Sequence, residues 1–285
     1  MPAVAFDLKR PDRLTSGVVF ASPHSGAHYP GSLVNKTILE TRLLRSSEDA
    51  FVDRLFSNAP ECGSPLLAAR FPRAYVDLNR APEELDPGVI TGVKRSGQNP
   101  RVASGLGVIP RVVANGRAIY RGKMTLDEAQ DRLRASWYPY HRQLQSLMAE
   151  AHSEFGQAIL IDCHSMPHEA IESFGRPGRR PEVVLGDRFG ASAAPEIVER
   201  VEAAFAAEGL NVGRNSPFAG AYVTQAYGRP SRCQHAIQIE IDRALYMDER
   251  RIEPNGNFAA LQGLLKRVVR DLVEIGSQRI RCAAE

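Results

Sequence analysis

Residues 20–30 read FASPHSGAHYP. A short apolar run ends there, and the chain at once presents His24, then His28, in a loop punctuated by proline and glycine. Imidazole binds metals and carries protons near neutral pH; a solvent loop needs neither. A second run, AILIDCHS at 158–165, ends at His164. Strand alternation puts Asp162 and His164 on one face and Ile159, Ile161 and Cys163 on the other. A third, HAIQIEID at 235–242, sets Gln238, Glu240 and Asp242 opposite Ile237, Ile239 and Ile241. Acids on a buried face need partners, because unpaired buried charge is strongly destabilising.

Two imidazoles and a carboxylate, with a fourth position open, form the coordination shell of a catalytic zinc. Ligands of open α/β sheets gather beyond the carboxyl ends of the strands. His24 and His164 both sit at such ends and are read as a pair of metal ligands. Asp162 is either the acceptor that orients a ligand ring or a structural carboxylate. His28, His141, His152, His168 and His235, each taken alone, read as hydrogen-bonded core or loop residues. In ARFPRAYVDLNRAP (69–82), Arg73, Asp77, Asn79 and Arg80 surround Tyr75, Val76 and Leu78. Asn79 and Arg80 offer an amide and a planar guanidinium fork, equipment for a carboxylate; the alternative is a surface ion pair.

These residues need a framework. GVVFAS (17–22), PLLAAR (65–70), AILIDCHS, PEVVLG (181–186) and HAIQIEID read as strands. Between them, SSEDAFVDRLFSN carries Phe51, Val52, Leu55 and Phe56 at helical spacing, and Thr125 with Glu128 forms a capping-box pattern. Helices are also expected over 136–155, 194–208 and 256–278. Strands alternating with helices predict an α/β architecture with a central sheet covered on both faces. The Gly-, Pro- and Arg-rich stretch at 81–122 reads as a long functional loop within one domain of residues 1–285. RPGRRP (176–181) reads as a shorter surface loop with solvated charges.

Composition narrows the function. The 285 residues are 43% hydrophobic and 24% charged, ordinary for a globular enzyme with a large core. A net charge of +3 is too mild to point to nucleic acid. The basic residues are nearly all arginine, with lysine at Lys9, Lys36, Lys94, Lys123 and Lys266 alone. Cys62, Cys163, Cys233 and Cys282 are scattered with no Cys-x-x-Cys pair, so reduced thiols in the cytosol are the expectation. The start lacks the features of a signal peptide, and no apolar stretch approaches the ~20 residues of a membrane span. A cytoplasmic protein without a membrane partner is expected. No Gly-x-Ser-x-Gly elbow points to serine hydrolase chemistry.

PHSGAHYP, EDAFVDRLF, RAYVDLNRAP, LIDCHSMP, FAGAYVTQAYGRP and HAIQIEIDRALYMDE occur in that order along most of the chain. On these motifs the sequence resembles the N-formylglutamate amidohydrolase family, itself similar to zinc carboxypeptidases and aspartoacylase. The resemblance implies a three-layer α/β/α sandwich with a mixed central sheet, zinc-carboxypeptidase-like, holding one Zn2+ per chain. Those relatives take a histidine and a glutamate from one His-x-x-Glu motif; here Ala27 stands in the glutamate's place. The acidic ligand is then expected from SSED: Asp49 at a helix start, with Glu48 as the substitute and Asp53 structural.

By the same resemblance Glu240 is the general base, and Asn79 and Arg80 hold a substrate carboxylate. Arg73 is an added anion contact or oxyanion stabiliser. Tyr222 and Arg229 lie over the substrate or merely pack their loop, and Gly220 and Gly228 allow close approach to a ligand. The implied activity is zinc-dependent hydrolysis of N-formyl-L-glutamate, or a related N-acyl acidic amino acid, within histidine degradation. The alternatives are a zinc carboxypeptidase, a deacylase of another N-acyl amino acid, and a non-catalytic binder of acidic metabolites.

Overall fold

Val18–Ser22 (β2), Ala158–Met166 (β4) and Gln234–Asp242 (β7) are almost wholly buried. Burial of nearly every position suits strands covered on both faces of a largely parallel sheet, with β7 alternating isoleucine and polar residues. A computed structural model of the chain describes residues 4–94, 99–172, 174 and 180–278. Phe6–Lys9 (β1), Leu66–Ala69 (β3), Val183–Gly186 (β5) and Val212–Arg214 (β6) complete a seven-stranded sheet of order β1-β3-β2-β4-β7-β5-β6. β2 with β4, β4 with β7 and β5 with β6 run parallel, while β5 runs antiparallel to β7. The sheet is therefore mixed, as expected. The sequence pattern did not point to β1 or β6, whose short runs carry little apolar signal.

Helices around the sheet and the first unit include Val52–Leu55 (α1), Leu126–Arg132 (α2), Tyr138–Phe155 (α3), Pro195–Ala207 (α4), Tyr222–Tyr227 (α5) and Phe258–Ile275 (α6). Two compact units divide the chain: Met1–Asp7, Pro23–Ala50 and Ala68–Gln143 form one, and Leu8–Ser22, Phe51–Leu67 and Leu144–Glu285 the other. In the second unit, register fixes the faces. Phe20 pairs with Ile161, and Ile161 with Ile237, so these share a face; the Phe20 ring lies 6.0 Å from that of Phe56, just after α1. α1 packs on β4, and α6 packs on β2, α1 and α4. Asp162 belongs to the opposite face, where α5 packs on β4 and β7. Layers of helix, sheet and helix result.

The first unit is mostly irregular. The 81–122 stretch belongs to it, with residues 95–98 outside the described ones. Thr125 accepts from the Glu128 amide at 3.2 Å, capping α2, a contact worth about 1 kcal/mol. The reciprocal half of the box is absent, because the Glu128 carboxylate goes to Lys36 and Arg132. The helix expected over 136–155 starts at Tyr138, after a π-helical turn at Leu133–Trp137.

Two expectations change. Only Val52–Leu55 of SSEDAFVDRLFSN is α-helical, because Arg45–Ser47 forms a 3-10 turn, Glu48 is extended and Phe51 takes φ 67°. Cys62 and Cys163 are free thiols, but Cys233 is disulfide-bonded. The expectation of reduced thiols throughout fails there, since separation along the chain says nothing about which sulfurs meet. Cys282 and residues 176–179 of RPGRRP lie outside the described residues. Among the described residues no helix is long and apolar enough to cross a membrane.

Candidate active site

His24 follows β2 by one residue beyond Pro23, in the first unit. Its backbone carbonyl accepts from the Asp49 amide at 3.0 Å, which draws the SSED turn beside it. Nδ1 of His24 then lies 3.3 Å from Asp49 Oδ2, and Nε2 lies 2.8 Å from Asp77 Oδ1. The glycine of PHSG is required by close approach: a Cβ on Gly26 would stand 2.2 Å from the Phe71 carbonyl oxygen. His28 N donates to Arg70 O at 2.9 Å along the same seam.

Asp77 is the hub of this half. Oδ1 also accepts from the Asn79 amide at 2.8 Å, and Oδ2 accepts from Arg73 Nε at 2.9 Å. Burial pushes its pKa up, but the charge of Arg73, followed by those of His24 and Arg80, outweighs burial and holds it well below the usual carboxylate range. Arg80 is buried, with Nε on Leu106 O at 3.0 Å and Nη1 on Asn79 O at 2.7 Å. Neither bond reaches a carboxylate. Burial lowers the Arg80 pKa, partly countered by the Asp77 charge.

Adjacent strands β4 and β7 carry the other polar residues. Asp162 is in register with Gln238 and His164 with Glu240, giving a two-by-two polar block on one sheet face. Nε2 of His164 lies 2.9 Å from Asp162 Oδ2. Gln238 Nε2 donates to Glu240 Oε1 at 2.8 Å. All four residues are buried. Helix α5 carries Tyr222 and Tyr227 to this face: burial, then Tyr222 and Asp162, push the Tyr227 phenol up. Arg229 is exposed, with Nη1 on the carbonyls of Gln225 and Gly228 at 3.4 and 3.2 Å. That is a cap on the end of α5. Gly220 and Gly228 let the chain pack on itself, since a Cβ would stand 2.5 Å from Thr224 Oγ1 and from Ser192 Cβ respectively.

His24, Asp49 and His164 each present a ligand atom, and these lie within 4.8 Å of one another. The donor chemistry fits a divalent metal. Both rings place Nε2 against an aspartate, the arrangement that orients ligand histidines and would leave Nδ1 to hold a metal. Glu48 is engaged elsewhere, with Tyr29 and both Nε and Nη2 of Arg45. Asp77 is the residue that sequence reasoning passed over; it was placed with the arginines and not with His24.

A family model of N-formylglutamate amidohydrolase matches residues 16–247. The chain is 33% identical over 261 residues to N-formylglutamate deformylase of Pseudomonas aeruginosa, covering 90% of this chain and 91% of that protein. It is 27% identical over 271 residues to N-formylglutamate deformylase of Pseudomonas putida, covering 92% and 94%. The crystal structure of N-formylglutamate amidohydrolase from Ralstonia eutropha JMP134 superposes with a TM-score of 0.89 at 34% identity, covering 96% of this chain and 99% of that one. The buried polar site thus sits in a chain that belongs to the N-formylglutamate amidohydrolase family, an enzyme that hydrolyses an amide bond.

Proposed function

We propose that the protein hydrolyses N-formyl-L-glutamate to formate and L-glutamate with a zinc ion held by His24, Asp49 and His164. The convergence of those three ligand atoms within 4.8 Å, each imidazole backed by an aspartate, carries this reading. The substrate class follows from the names of the relatives. Matching across both compact units supports one catalytic domain over 1–285.

When bound, the ion supplies Lewis acidity toward the formyl carbonyl and toward water. Glu240, oriented by the Gln238 amide, accepts the proton of the attacking water. It returns that proton to the amide nitrogen as the carbon–nitrogen bond breaks, so one residue serves as base and then acid. Asp77 and Asp162 keep the histidine rings in the tautomer that presents Nδ1. Arg73, anchored through Nε to Asp77, brings positive charge for the developing oxyanion. Asn79 and Arg80 take a substrate carboxylate. The supporting feature is a buried guanidinium whose described hydrogen bonds end on carbonyls and not on a carboxylate, with the Asp77 charge countering its burial only in part. Tyr222, at the start of α5, is assigned to cover the substrate, while Arg229 serves α5 itself.

The test is an assay of metal-loaded protein with N-formyl-L-glutamate and N-acetyl-L-glutamate, measuring formate, acetate and glutamate. Formate and glutamate should appear in equal amounts, with close to one zinc per chain and activity lost on chelation. Acetate release at a comparable rate would move the reading to a general deacylase. Full turnover after exhaustive chelation would remove zinc from it.

A further inference from the structure

The Asn79–Arg80 segment has no regular secondary structure, yet its backbone carbonyls are all engaged. Leu78 O lies 2.9 Å from His141 Nε2, Asn79 O accepts from Arg80 Nη1 at 2.7 Å, and Arg80 O accepts from Trp137 Nε1 at 2.9 Å. A carbonyl only accepts, so the His141 nitrogen facing it carries the proton. Trp137 and His141 are four residues apart and share one face of a helix. Their rings stack with centroids 4.0 Å apart and planes 32° apart. Trp137 closes the π-helical turn that precedes α3, and turns with such an extra residue concentrate at functional sites. Both rings are buried, so each N–H needs an acceptor. The acceptors are the two carbonyls that flank the one between them.

We propose that Trp137 and His141 are positioning residues for the substrate-carboxylate clamp, fixing Asn79 and Arg80 through the carbonyls of Leu78 and Arg80. This rests on the reading of Arg80 as that clamp. Apolar packing alone would require the rings but not their N–H groups, and that difference is measurable.

Trp137→Phe keeps an aromatic ring in the stack and removes the donor. For N-formyl-L-glutamate, kcat/KM should fall roughly two- to tenfold, the usual worth of one buried hydrogen bond, with the change in KM and kcat nearly constant. For the N-formyl-glutamic diamide, which has no carboxylate, the loss should be less than about half as large on the same logarithmic scale. His141→Leu should repeat this selectivity and His141→Gln, which keeps an N–H donor, should recover part of it. In an Arg80→Lys background, Trp137→Phe should add no further selectivity. Equal losses on the two substrates, or a fall in kcat at constant KM, would overturn the inference; the His141 pair decides it should Trp137→Phe fold poorly. If Arg80→Lys is selective for the diacid and neither ring variant is, the inference alone falls. If wild-type protein leaves N-formyl-L-glutamate intact, or Arg80→Lys loses equally on both substrates, the clamp reading fails and takes the inference with it.

Discussion

His24 and His164 make the same bond, Nε2 to an aspartate at 2.8 and 2.9 Å, but the two aspartates are held in different ways. Asp162 stands two residues before His164 on β4, so the pleat places it on the same face. Its Oδ1 has no hydrogen-bond partner among the described residues. Asp77 is 53 residues from His24 in an irregular segment and receives three donors, His24 Nε2, the Asn79 amide and Arg73 Nε. Ordering one residue costs about 1–2 kcal/mol of backbone entropy. A net hydrogen bond returns about 0.5–1.5 kcal/mol. An aspartate on a loop therefore needs several bonds where one on a strand, ordered already with its sheet, needs one.

Glu240 lies on the strand side of that contrast, and its replacement should have the largest effect. Glu240→Gln keeps size and can still accept from Gln238, because the amide retains an oxygen. Removing the proposed base should lower kcat by ~10² to 10⁴, with zinc content unchanged because Glu240 is not a proposed ligand. Metal analysis beside steady-state kinetics checks both halves. Near-normal turnover would give Glu240 a structural role and send the search for the base to other carboxylates.

The same contrast separates what the sequence made legible from what it did not. Period two exposed Asp162 with His164 and Gln238 with Glu240, because a strand turns residue parity into a shared face. The choice of Asp49 over Glu48 came from family resemblance. In the fold Glu48 bonds Tyr29 and Arg45, and nothing in the local pattern marks its bond to Tyr29. Asp77 could not be assigned to His24 at all: its partner is non-local and its segment has no period. The short form of α1 was hidden too, since Phe51 at φ 67° breaks a helix that apolar spacing alone would continue. The outer strand β6, three residues with none buried, offered nothing for a hydrophobic pattern to register.

A pair of isosteric changes sharpens the contrast at intermediate size. In Asp162→Asn the amide oxygen can accept from His164, and the NH2 can occupy the position of the unpartnered Oδ1. In Asp77→Asn no orientation serves all three donors, so an NH2 must face another N–H group. Zinc affinity, measured by competition with a chromophoric chelator, should fall roughly 10- to 100-fold for Asp77→Asn, the usual cost of removing a partner that orients a ligand. Asp162→Asn should lose less than about tenfold. An equal or larger loss in Asp162→Asn would mean the charge on the aspartate matters and the number of donors does not.

The smallest expected effect is on stability and concerns the support of the loop side. His141 is buried, and burial, only partly countered by its bond to the Leu78 carbonyl, lowers its pKa from 6.5 to about 4. Burial is why folding prefers the neutral form, which still donates to Leu78 O. Between these two values the unfolded chain binds a proton that the native chain does not, so stability rises with pH across the window and falls on acidification. From pH 7 to pH 5 the group should cost about 2 kcal/mol. On the strand side, backbone pairing of β4 with β7 does the positioning. Urea unfolding of wild type and His141→Leu at both pH values isolates the contribution, because the other titrating groups are common to the two proteins. The variant should start less stable at pH 7, having lost the bond to Leu78, yet lose about 2 kcal/mol less than wild type on moving to pH 5. Parallel losses would mean that His141 is protonated in the folded protein at pH 5. The loop would then have to keep its Leu78 contact with a buried charge, and the neutral stack of Trp137 and His141 would not be what holds it.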